Sequence, residues 1–126
     1  MNKSFQLYAD EILPAGFHYP EVLRNLAKSG TYPDICPWFF DSANTEGGKL
    51  GFALRLSDGR NLIPFAHCSD DDNDTACFDG DDASGNPRIL IKNSFDKFDY
   101  PGRRYAYADF DEWFQAAQAY AKRLRA

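Results

Sequence analysis

The sequence predicts an α+β fold: one domain over residues 1–126, with a central antiparallel sheet of about five strands, N-terminal helices and a C-terminal helix packed on the sheet. Three observations predict it. Asn61 to Asp79 holds two short apolar runs, Leu62-Ile63-Pro64-Phe65-Ala66 and Thr75-Ala76-Cys77-Phe78, each bounded by polar breakers in the manner of buried strands. Ser57-Asp58-Gly59-Arg60 precedes the first of them, and Asp-Gly is a strong hairpin signal. From Asp109 onward, Phe110, Trp113, Phe114, Ala117, Ala121 and Leu124 recur at helical spacing.

The bounds agree with this class. At 126 residues the chain is long enough to bury a core without disulfides or metals, and 44% hydrophobic residues is too apolar for a disordered chain. No run approaches the ~18 apolar residues of a membrane helix, and the first residues show no apolar leader. Cys36, Cys68 and Cys77 are odd in number and irregularly spaced, which predicts reduced thiols and a cytoplasmic protein. A net charge of -5 weighs against nucleic acid and anionic membrane as ligands, since both are polyanions, and favours a basic partner.

In chain order, residues 2 to 13 read as a short helix carrying Phe5, Tyr8, Ala9 and Ile12 on one side, stopped by Pro14. A second helix is expected from Pro20 to Ser29, with Val22, Leu23 and Leu26 as its apolar face and Gly30 past its end. Trp38-Phe39-Phe40 reads as a strand, Asn44 to Gly48 as a turn, and Leu50 to Leu56 as an alternating strand that the hairpin joins to Leu62. The remaining strands are Cys77's and Arg88-Ile89-Leu90-Ile91-Lys92, giving an antiparallel meander. Gly80 to Pro87 reads as a second acidic, flexible turn. Residues 93 to 104 read as irregular, with Arg103 and Arg104 beside Tyr100 either solvated or stacked on an aromatic ring. The last helix has Asp109 and Glu112 as a capping pair, and Lys122, Arg123 and Arg125 at its C-terminal end complement the helix dipole.

Chemistry is sparse. Asp70, Asp71, Asp72 and Asp74 separate the two apolar runs and would repel one another in a dry core, so they are expected in solvent. Asp70, Asp72, Asp74 and Asp81 fit part of a calcium-loop count, but Thr75 stands where the turn needs Gly and Asp81 where a bidentate Glu belongs. Gly47-Gly48-Lys49 lacks the spacing of a phosphate loop and reads as a hairpin turn. His67, Cys68 and Cys77 lack the paired spacing of a zinc site, and neither a base nor an oxyanion hole accompanies a thiol. Thus no catalytic residue, metal or cofactor is expected. The expected partner-binding residues are Asp70, Asp71, Asp72, Asp74, Asp81 and Asp82, as an acidic surface, and Trp38 as an interface anchor.

The order of these features resembles the SUKH superfamily, which includes bacterial toxin-immunity proteins and a fungal cell-wall regulator. The resemblance rests on Asn61-Leu62-Ile63-Pro64-Phe65-Ala66, on the acidic turn into Asp74-Thr75-Ala76-Cys77-Phe78-Asp79, and on Tyr105 to Phe114 as a strand followed by the closing helix. Asp109 stands for the usual Ser cap, and Phe114 for Leu. Leu13-Pro14 and the helix after Pro20 are similar to the family's opening, without the Asn-Gly pair that often follows that helix. The resemblance implies an α+β domain and an intracellular antidote to a cognate protein toxin, often a nuclease, with a basic surface. The alternative it implies is a non-catalytic scaffold domain with a regulatory role. A monomer is compatible with either.

Overall fold

The computed structural model describes residues 5–53, 61–69, 74–92 and 106–125. Five antiparallel strands run in sequence order across one sheet: β1 (Trp38–Phe40), β2 (Leu62–Cys68), β3 (Thr75–Asp79), β4 (Ile89–Lys92) and β5 (Ala106–Tyr107). Three helices accompany them, α1 (Glu21–Ser29), α2 (Glu46–Ala53) and α3 (Phe110–Arg125). This is the α+β meander that the sequence predicts, reached with one exchange of elements inside the strand run and one change at the N-terminus.

The exchange lies between β1 and β2. The expected Asn44 to Gly48 turn and the strand from Leu50 give way to α2, while a short β5 completes the five strands. Residues 54–60, which carry the expected Asp-Gly hairpin, lie outside the described residues. Thr45 starts α2: its Oγ1 accepts from the Gly48 N–H at 3.0 Å, which is N-cap geometry. Gly48 is required here, because a Cβ would stand 2.1 Å from the Ser42 carbonyl oxygen. Gly51 brings the helix against β2, where an added Cβ would lie 3.4 Å from Pro64.

The expected N-terminal helix is likewise replaced. Phe5 to Ala9 run without helix, followed by a 3-10 turn at Asp10–Ile12. Tertiary contacts override the weak helical pattern: the Gln6 carbonyl accepts from Ala43 N–H at 2.8 Å, and the Tyr8 hydroxyl donates to the Gly48 carbonyl. α1 forms as expected, with Pro20 as N-cap and Gly30 in the left-handed region closing it onto the Leu26 carbonyl at 2.9 Å. Its buried residues are Leu23 and Ala27, whereas Val22 faces out.

The core is aromatic. Trp113 and Phe110 of α3 pack on Phe65, whose ring stacks on Phe78 at 4.4 Å between centroids. Phe5, Phe17, Tyr19, Leu23 and Ile35 close the same cluster from the N-terminal third. Asp109 caps α3 as expected, accepting from the Glu112 N–H at 2.9 Å. Leu124, placed by its spacing on the apolar stripe, is exposed.

An irregularity in β2 decides which of its side chains reach the outer face. The pairing of β2 with β3 shifts between Pro64 and Ala66. Proline has no N–H to give the ladder and is tolerated at such a bulge. The extra residue reverses the alternation. Ile63, Phe65 and Ala66 all join the core, and His67 is thereby turned to the opposite face. With strict alternation from Ile63 and Phe65, His67 would point inward.

Candidate partner-binding surfaces

The expected aspartates divide between the two ends of β3. Asp74 precedes Thr75 at one end, and Asp81 and Asp82 follow Asp79 at the other, about 13 Å along the strand at ~3.3 Å per residue. They cannot act as one loop, nor share one cation. Asp70, Asp71 and Asp72 lie outside the described residues. Asp74 is 6% exposed, and its carbonyl accepts from Cys68 N–H at 2.8 Å. Its position corrects the expectation of a solvated charge: it closes the end of the β2–β3 ladder.

At the other end the aspartates build the β3–β4 turn. Asp79 accepts from Arg88 Nε at 2.8 Å, and its other oxygen accepts from Asp81 N–H at 3.0 Å. Asp82 accepts from the Ser84 and Arg88 backbone N–H groups, each at 3.0 Å. Hydrogen bonds from Ser84 and Arg88 hold its carboxyl below the usual carboxylate range. The turn is thus tied by its own acids, in contrast to the flexible one expected. Asn86 Nδ2 also donates to Asp109 Oδ2 at 3.3 Å, which joins the turn to the start of α3. Asp81, Asp82, Asp109 and Asp111 therefore gather at one end of the molecule, a juxtaposition the sequence does not announce.

Trp38 is half-buried and meets Trp113 edge-to-face at 5.3 Å, on the core side of the sheet. The exposed ring of β1 belongs instead to its neighbour Phe39, 41% exposed. Successive residues of a strand point to opposite faces, so the ring that β1 exposes lies one residue from the Trp38 expected as an anchor. Among the described residues Phe39 is the one aromatic side chain that lies exposed.

Phe39 begins a row. It pairs with His67, His67 with Thr75, and Thr75 with Lys92, so all four side chains share the face away from α3. His67 meets the Phe39 ring edge-to-face at 4.2 Å, and its Nδ1 lies 2.6 Å from Asp41 Oδ1. A carboxylate only accepts, so Nδ1 carries the hydrogen of that bond. The apolar pattern places His67 at a strand end but has no means of finding Asp41, 26 residues away.

The thiols stay apart. Cys68 faces away from His67 as its strand neighbour and is buried, Cys77 is buried and Cys36 is exposed. Among the described residues, no three His, Cys, Asp or Glu side chains gather as a metal site requires. Among them too, no helix is long and apolar enough to cross a membrane. Compared with known proteins, the chain matches no family model, no curated protein and no solved structure.

Proposed function

We propose that this chain is a SUKH-like immunity protein: a cytoplasmic, non-catalytic domain that binds one cognate protein toxin and blocks it by contact. The toxin on this reading is a nuclease with a basic surface. The observation that carries the proposal is the acidic end where the β3–β4 turn meets α3. There Asp81 and Asp111 are exposed, while Asp82 and Asp109 hold the scaffold through their hydrogen bonds. A nuclease that grips a polyanion is basic around its active site. A fixed acidic surface attracts such a protein over a Debye length, raises the association rate and competes with the nucleic acid.

The test is co-purification from the native host, with the product of the adjacent upstream gene identified by mass spectrometry. A basic partner in one-to-one ratio is expected, with association that slows steeply as salt rises. Asp81→Asn with Asp111→Asn is expected to slow association by roughly severalfold and to leave the complex lifetime nearly unchanged. The same change at Asp70, Asp71 and Asp72 measures the contribution of the other charge run. A housekeeping complex in place of a toxin sinks the antidote reading and favours a scaffold domain.

A further inference from the structure

We infer that the corner formed by Phe39, His67 and Asp41 receives an arginine side chain of the partner. Three features of the corner suit one ligand group. Phe39 presents an exposed ring, whose face attracts a cation. Asp41 is a carboxylate with its side chain 22% exposed, and one of its oxygens is engaged by His67 at 2.6 Å. His67 is 36% exposed, and because its Nδ1–H is given to Asp41, Nε2 is the ring atom left to accept when the imidazole is neutral.

A π face, a carboxylate and a lone pair in one corner all favour a cationic, multiply donating group. A guanidinium fits better than an ammonium, because its plane stacks on an aromatic ring while its fork donates to two acceptors at once. The overall charge of -5 points to the same sign of ligand. Lys92 closes the row on the β4 side, about 14 Å from Phe39 at ~4.8 Å per strand.

The corner is separate from the acidic end. His67 and Leu62 stand towards opposite ends of β2, about 17 Å apart at ~3.3 Å per residue. A footprint of about 800 Å² is wide enough to span that distance. The charges at the acidic end act on the approach, whereas Phe39 acts on the lifetime of the complex.

This inference rests on the reading of the chain as a binder of a basic protein, and its test omits that partner so that the two fail separately. The full chain, labelled with ¹⁵N and ¹³C, is titrated with N-acetyl-arginine amide, and with the lysine and citrulline analogues as controls. Saturable shifts are expected at Phe39, Asp41 and His67. Citrulline, which keeps the shape and loses the charge, is expected to bind about tenfold more weakly. Phe39→Leu, which keeps apolar area and removes the ring, is expected to weaken arginine about threefold. Equal shifts with citrulline, or arginine shifts confined to Asp81, Asp82, Asp109 and Asp111, overturn the assignment. In that event a one-to-one toxin complex would still stand on its own measurement.

Discussion

Trp38 and Phe39 are adjacent in one three-residue strand and belong to two different regions of the molecule. Trp38 turns to the face where Trp113, Phe65 and Phe78 make a continuous aromatic layer. Phe39 turns to the face where His67 and Asp41 meet solvent. Rings of similar hydrophobicity thus do different work: one contributes buried area to folding, the other remains available to a partner. The lesson is that an aromatic run in a strand has to be split by parity before any residue in it is assigned a role.

The largest effect expected from breaking this contrast is in the inner layer. Trp113 is 1% exposed and touches Trp38, Phe40, Phe65 and Phe110. Trp113→Ala leaves a cavity that its neighbours cannot fill, and is expected to cost about 3–5 kcal/mol in urea unfolding. A loss below about 1 kcal/mol would mean that α3 is not seated on the sheet as described.

Burial sets polar groups apart as well. The Tyr8 hydroxyl is buried under α2 and donates to the Gly48 carbonyl, and its ring packs on Phe52 at 4.5 Å. Burial, with the Asp41 charge adding to it, pushes the phenol from its ordinary 10.0 up to about 12. The folded state therefore keeps a proton that the unfolded chain releases. Stability from this group is complete below pH 10.0 and is lost as pH rises from there through about 12. Tyr19 is shifted in the same direction by burial and adds to the alkaline loss. The measurement is the urea midpoint against pH. Tyr8→Phe is expected to flatten the alkaline fall, and an unchanged slope would place the hydroxyl in solvent.

Legibility from sequence divides along the same lines. The strands β1 to β4, α1 and α3 are readable because each is a run of apolar residues with ordinary punctuation, such as Gly30 after α1 and Asp109 before α3. α2 is hidden because Gly47, Gly48 and Gly51 depress helix propensity, and the alternation from Leu50 imitates a strand. Its one signal is Thr45 as a cap. The acidic end is half-readable: Asp81 and Asp82 stand out in the sequence, but their meeting with Asp109 depends on Asn86 across the fold. The Phe39 corner is not readable, since it needs the bulge that turns His67 outward and a long-range bond to Asp41. Pro64 inside an apolar strand is the one local sign of that bulge.

The smallest effect is expected at Phe39, and it sharpens the comparison most. Its ring packs on the edge of His67 and Phe39 is 41% exposed, so Phe39→Ala removes less buried area than a core change. Surface changes of this kind stay within about 0.5 kcal/mol, well short of the Trp113→Ala loss. A destabilisation of about 2 kcal/mol or more would show that the ring supports the β1 edge, and its exposure would then need no partner to explain it. A neutral outcome in urea unfolding leaves an exposed aromatic ring that folding does not require, in a chain that buries or half-buries every other aromatic among its described residues. An exposed ring in that position without a folding role is the pattern of an interface anchor.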